Sequence, residues 1–357
     1  MTRRDGLNHQ EENQEMNRHP VCTLVVLYVV FSAAVLAGPP PAQGPVTWQA
    51  VMGAESQDQG RQAMAFLPNE LWIHAGDSVT WTSGAHEGHT LTFLKQTATG
   101  ASTAGTSRPA FPPGCTAGNQ GGASPTTPDG SLVNGSACVN SGPFADGADY
   151  TVTFPQSGNF KFVCLIHRDM TGVVHVLNAV QDLPYDQSFY DAKARSEARD
   201  LINGASQLPG AQGGAATNQV TTDPGKLIAT GGGKSYLAIM RFLPEKIHVH
   251  VGDTVEWTNV SPSEPHTITF AGSQPEPPAG MPINVAAGPD GALQGTLLSP
   301  NGQLNTGLIG AALQDQAVQT ALGVTRLRVT FTSPGTYEYF CALHDELGMK
   351  GEVVVGP

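Results

Sequence analysis

Residues 64–81, MAFLPNELWIHAGDSVTW, return as residues 240–257, MRFLPEKIHVHVGDTVEW, at a constant offset of 176 and with 9 of 18 positions identical. Further along, HTLTF at 89–93 matches HTITF at 266–270, and CLIH at 164–167 matches CALH at 341–344, both at an offset of 177. The histidine-to-cysteine separation is therefore 75 residues in each copy (164 − 89 and 341 − 266). An internal duplication is the simplest account, and it constrains the architecture: whatever unit one copy folds into, the chain holds two of it. A length of 357 residues accommodates two ordinary domains.

Within each copy the apolar period is two. Tyr150, Val152 and Phe154 are followed, after a turn at Gly158, by Phe160, Phe162 and Cys164; the second copy repeats this with Leu327, Val329, Phe331, Tyr337, Tyr339 and Cys341. Such alternation marks half-buried strands, and it puts each cysteine on the inward face at a strand end. His89 shares parity with Leu91 and Phe93, and His266 with Ile268 and Phe270, so both histidines should point inward. The 42 Gly, 27 Pro and only 13% charged residues agree with an all-β chain carrying long loops and argue against a helical bundle. A net charge of −12 argues against nucleic acid as a partner, because phosphate selects Lys and Arg.

Between first histidine and cysteine each copy carries a long Gly- and turn-rich insertion, about 95–148 and 271–325, expected to be an excursion at one end of a sandwich. Residues 46–180 and 233–357 are assigned to the two domains. The connection at 181–232 should hold one helix, read from DAKARSEARDLI ahead of Asn203 and Gly204, and then a Gly/Ala/Thr linker.

Ahead of the first domain, residues 1–45 form a leader. Its apolar run at 21–37 ends in small residues and reads as an export signal or, at the short limit for crossing a bilayer, a single membrane anchor. Met16 offers an alternative start with a more ordinary leader. In either case the domains belong outside the cytoplasm, in a periplasmic or extracellular space. Cys115 and Cys138 lie in loop-like sequence, and in an exported protein they are expected to form a disulfide.

The remaining cysteines carry the chemistry. Domain 1 ends in Cys164-x-x-His167-x-x-Met170 and domain 2 in Cys341-x-x-His344-x-x-x-x-Met349. With His89 and His266, each copy offers Cys, His, His and Met. A thiolate and two imidazoles with a long, weak thioether describe a blue, type 1 copper electron-transfer site. One such motif alone could be an accident or part of a zinc site; its recurrence with a matching distant histidine favours copper, two ions in all. In domain 1 the shorter loop leaves open that a backbone carbonyl takes the axial place and Met170 only packs. His86 competes with His89 but lacks its sequence context, and His74, His175, His248 and His250 read as ordinary surface or sheet histidines.

The Gly-Asp-x-Val-x-Trp segment, the His-Thr-x-Thr-Phe strand and the Cys-x-x-His-loop-Met-x-Gly ending resemble the cupredoxins, with amicyanin-like spacing in the first loop and plastocyanin-like spacing in the second. The resemblance covers most of 46–178 and 233–357. It implies two tandem cupredoxin-like Greek-key β-sandwiches joined by a helix-containing linker, with metal ligands His89, Cys164, His167, Met170, His266, Cys341, His344 and Met349. It also implies electron exchange with redox partner proteins through His167 and His344 at the surface. Thr90 and Thr267 depart from the pattern, standing where members often carry Asn supporting the cysteine loop. An electron carrier is the expected function. A copper storage or delivery protein would want exposed, exchangeable sites. A copper oxidoreductase would want further histidines, such as one beside the cysteine, where this chain has Val163 and Phe340.

Overall fold

The computed structural model describes residues 44–95, 126–144, 147–167, 169–204, 219–222, 226–229, 234–260, 264–310 and 325–357. The leader with its apolar run at 21–37, and Cys115 with the bridge expected of it, lie outside these. Among the described residues no helix is long and apolar enough to cross a membrane.

The duplication folds into two tandem β-sandwiches. In the first, one sheet runs in spatial order through Arg61–Leu67, Thr47–Glu55, Ser78–Ser83, Asp149–Thr153 and Ser131–Leu132. The facing sheet runs through Glu70–His74, Thr171–Leu177, Gly158–Val163, His89–Phe93 and Val139–Phe144. In the second sandwich Phe242–Leu243, Gln219–Thr222, Thr254–Asn259, Arg326–Phe331, Leu293–Leu297 and Ala286–Ala287 form one sheet, and Lys246–His250, Lys350–Gly356, Gly335–Phe340, Thr269–Phe270 and Leu304–Asn305 the other. Thr47–Glu55 pairs parallel with Ser78–Ser83, as Gln219–Thr222 does with Thr254–Asn259. The stretch read as a linker thus supplies the opening strand of the second sandwich.

The insertions differ from expectation in a second way. Their described parts are not excursions at one end: Ser131–Leu132 and Val139–Phe144 in the first copy, and Ala286–Ala287 and Leu304–Asn305 in the second, are edge strands, with Leu293–Leu297 next to the edge. Adding edge strands extends the sheet ladder and lets turn-rich sequence satisfy its backbone groups.

Alternation places the core as predicted. Tyr150, Val152, Phe154, Phe160, Phe162 and Cys164 are buried, and so are Leu327, Val329, Phe331, Tyr337, Tyr339 and Cys341. Trp81 meets Phe162 edge-to-face with centroids 5.3 Å apart, and Trp257 meets Tyr339 in the same way at 5.2 Å. Each such pair adds about 0.5–1.5 kcal/mol beyond its buried area.

The sandwiches are fused along a sheet edge. Lys234–Ile239 pairs antiparallel with Arg61–Leu67 of the first copy, in the register Tyr236 to Met64 and Leu237 to Ala63, so one sheet crosses from copy to copy. The helix Gln187–Asn203 lies over the seam. Its N-terminus is capped by Asp186, whose carboxylate accepts the Phe189 N–H at 2.9 Å. Tyr190, Ala194 and Leu201 are its buried residues, Ala194 and Leu201 packing with Ala63, Ala65 and Leu67, while Ile202 reaches Leu237 and Ile239. Arg241 ties the second copy to the first by donating to the carbonyls of Leu347 and Asp58, both at 2.7 Å.

The repeated Gly-Asp pair explains itself in the turns before the tryptophan strands. Gly76 and Gly252 adopt φ of +98 and +93, which side chains resist. The aspartates then diverge. Asp77 is buried and accepts three donors, the N–H groups of Val46 and His74 and the Trp48 indole, at 2.8, 3.0 and 2.8 Å. Asp253 accepts the His250 N–H at 2.9 Å near the surface. Chemical denaturation should therefore show Asp77→Ala losing about 3 kcal/mol and Asp253→Ala about 1 kcal/mol; equal losses would refute this account of the motif.

Candidate metal centres

Each sandwich closes one end on a cysteine, and the chain brings the same atoms to it twice. In the first copy Cys164 sits at the end of Gly158–Val163, His167 three residues on, and His89 starts the neighbouring strand. The Nδ1 atoms of His89 and His167 are 2.9 Å apart, and Cys164 Sγ lies 3.6 Å from His167 Nδ1. In the second copy His266 and His344 place their Nδ1 atoms 3.1 Å apart, with Cys341 Sγ at 3.7 and 3.3 Å from them. All six residues are buried, and each trio has its donor atoms within 4.8 Å of one another.

Electrostatics agree with the geometry. Burial pushes the Cys164 thiol up, but the charge of His167 and hydrogen bonds from both imidazoles outweigh it and hold the group well below a thiol's ordinary range; Cys341 behaves alike. Burial lowers His167 and His344, yet Glu264 and Cys164 beside the first and Cys341 beside the second raise both well above normal. Each pocket is thus built for positive charge between a thiolate and two ring nitrogens. Two facing Nδ1 atoms and a cysteine sulfur are a donor set that fits copper in either oxidation state once the rings give up their Nδ1 protons.

The sulfur is held from behind as well. Thr90 N–H and His167 N–H donate to Cys164 Sγ at 3.3 and 3.4 Å, and Thr267 N–H to Cys341 Sγ at 3.4 Å. The threonines replace the expected Asn in function: Thr90 Oγ1 accepts the Leu165 N–H, and Thr267 Oγ1 the Ala342 N–H, both at 2.7 Å. From each the contacts run on. Thr92 lies 3.3 Å from Thr90 and donates to Asn140 at 2.9 Å; Thr269 lies 2.9 Å from Thr267 and donates to Asn305 at 2.9 Å. This is why Thr90 and Thr92 are buried on the face that strict alternation would leave to water.

Asn140 and Asn305 escape a reading of the sequence because they sit in the insertions, at an offset of 165 instead of 177. The repeated signal is there in Asn140-Ser141-Gly142 and Asn305-Thr306-Gly307. Ser141 and Thr306 accept the N–H groups of Leu91 and Ile268 at 2.8 and 3.0 Å.

Met170 and Met349 are buried beside the centres. Their carbonyls accept the N–H of Cys164 and Cys341 at 2.9 and 3.0 Å, closing both ligand loops despite their different lengths. His86 stays outside, paired with Glu55 at 2.7 Å and largely exposed. His175 pairs with Glu70 at 2.9 Å and stacks on Trp72, away from either centre.

One expectation is corrected. His167 and His344 are not surface residues: they are 0% and 2% exposed. The second sandwich covers the ligand edge of the first, and the reverse. Their Nε2 atoms face Glu87 and Glu264, at 3.4 and 3.4 Å from His167 and 3.6 and 3.5 Å from His344. Burial raises these carboxyls, but the imidazoles pull Glu87 below its ordinary value and Glu264 down to about 2. Neither glutamate was legible as a site residue, although both occupy one place in the repeat, as Glu87-Gly-His89 and Glu264-Pro-His266.

Two β-sandwiches, each ending in a buried cysteine between two imidazoles, have the architecture and donor set of copper-binding proteins. A family model for copper binding proteins of the plastocyanin/azurin family matches residues 53–177 and 228–356, and the chain belongs to that family. Among solved structures it is similar to an amicyanin variant in its Cu(I) form, at 17% identity over 37% of this chain and 82% of that one, TM-score 0.22. It is also similar to a purple cupredoxin from Nitrosopumilus maritimus, at 18% identity over 36% of this chain and 99% of that one, TM-score 0.23.

If the threonine hydroxyl supports the cysteine loop, Thr90→Ala should weaken copper retention in the first domain by about 10- to 100-fold, and Thr90→Ser should restore it. Competition with a copper chelator reads both. Equal loss in the two variants would assign the effect to packing.

Proposed function

We propose that the chain is an exported electron-transfer protein with two type 1 copper centres, held by His89, Cys164, His167 and Met170 and by His266, Cys341, His344 and Met349. The observation that carries this reading is the doubled, buried trio of one thiolate and two Nδ1 atoms. Copper bound there supplies one-electron exchange between Cu(I) and Cu(II).

The residues do the rest. The buried thiolate with its N–H donors fixes the sulfur so that little moves when charge changes. The apolar strand ends keep water away from it. His167 and His344, usually the outlet in such proteins on the resemblance above, here turn toward each other across two carboxylates. The histidine edges of the two centres thus face each other. Ile166 and Leu343 lie in the ligand loops and are 37% and 43% exposed, which offers an external redox protein an apolar place to dock. Burial of every ligand argues against storage or delivery, where the ion must exchange.

Metal analysis with optical spectroscopy tests the reading. Two coppers per chain and strong thiolate-to-copper absorption are expected. Cys164→Ser and Cys341→Ser should each remove one copper and leave the other coloured. Because two residues separate His167 from Met170 and four separate His344 from Met349, the surviving centres should differ in reduction potential by voltammetry. A colourless chain, or either variant emptying both sites, would refute the reading.

A further inference from the structure

We infer that Glu87, Glu264, His167 and His344 form a third metal site between the sandwiches, for a divalent first-row transition ion. The inference rests on the reading above in one respect: Nδ1 of both histidines is given to copper. The Nε2 atoms then point the other way, and both point into one buried space.

The distances leave room for an ion between the four groups. Glu87 offers Oε1 to His167 at 3.4 Å and Oε2 to His344 at 3.6 Å. Glu264 offers Oε2 to His167 at 3.4 Å and Oε1 to His344 at 3.5 Å. A well-formed N–H···O bond spans roughly 2.7–3.2 Å, so all four contacts are ion pairs longer than that. His167 Nε2, fully buried, makes no hydrogen bond. Neighbouring ligand atoms that share one ion at about 2.0–2.2 Å lie roughly 3–3.6 Å apart, and each of the four N···O pairs has that spacing.

The symmetry points the same way. Glu87 and Glu264, like His167 and His344, are 177 residues apart (264 − 87 and 344 − 167), so the four groups are two repeat-equivalent pairs meeting across the fusion. Each carboxylate gives one oxygen to each ring, an arrangement that two hydrogen bonds from two N–H groups do not require. Glu87, His167 and Glu264 bring one donor atom each within 4.8 Å of one another, and His344 stands outside that trio, meeting the same two carboxylates through their other oxygens. Tyr236, on the strand that joins the sheets, fixes Glu264 by donating to Oε2 at 3.0 Å.

Two imidazole nitrogens with carboxylate oxygens suit Zn²⁺ or Cu²⁺ better than the harder Ca²⁺ or Mg²⁺. To hold the ion through Nε2, each ring would release its Nε2 proton to solvent, while Nδ1 would remain with copper.

The experiment uses the full-length, copper-loaded chain with zinc chloride added and excess removed. Two coppers and one zinc per chain are expected, with the blue absorption retained and its maximum shifted when zinc enters. X-ray absorption at the zinc edge should show imidazole nitrogen among the nearest neighbours. Glu87→Gln should keep colour and both coppers while binding zinc at least roughly 10-fold more weakly. If Glu87→Gln disturbs the fold, its lost colour will show it, and the zinc-edge spectrum of the unaltered chain decides alone. A blue chain that retains no zinc, or holds it without imidazole, would overturn this inference and leave the proposed function standing. A chain without blue copper would overturn both.

Discussion

A thiolate buried among aromatic and aliphatic side chains is the constraint that the rest of the molecule answers. An ionised sulfur out of water is costly unless charge and donors surround it. Each copy surrounds it with two imidazoles in front and backbone N–H groups behind. The strand alternation delivers the cysteine inward, the histidine strand runs beside it, and the threonine hydroxyl closes the loop that follows. Because the threonine contacts lead on to Asn140 and Asn305 in the insertions, those strands belong to the framework of the candidate metal sites and are not ornament on it.

The second determinant is how the copies meet. A sheet shared through Lys234–Ile239, a helix across the seam and the Arg241 contacts join them into one compact unit. That fusion buries the two histidine edges against each other and brings in Glu87 and Glu264. Duplication alone would give two independent sites side by side. Here the histidine edge of each copy is covered by its twin, which brings the two sites face to face.

Much of this is legible in the sequence for a definite reason. Period-two alternation reports which way a side chain points, so the pattern by itself places Cys164, Cys341, His89 and His266 inward. The repeat supplies the pairing of distant histidine and cysteine. What alternation does not report is which faces of two folded units touch, and so His167 and His344 read as surface residues. Glu87 and Glu264 look like loop carboxylates for the same reason, despite their matching positions two residues before the first histidine. Val220 and its strand are hidden by Gly/Ala/Thr composition, which resembles a linker until its partner strand Thr254–Asn259 is known.

The central claim is that two copper centres face each other within one body, and electron paramagnetic resonance of the fully oxidised chain tests it most directly. Facing centres should broaden each other's signals through spin–spin interaction, and the broadening should vanish when either cysteine is replaced by serine. A spectrum equal to the sum of the two single-site variants would contradict the account.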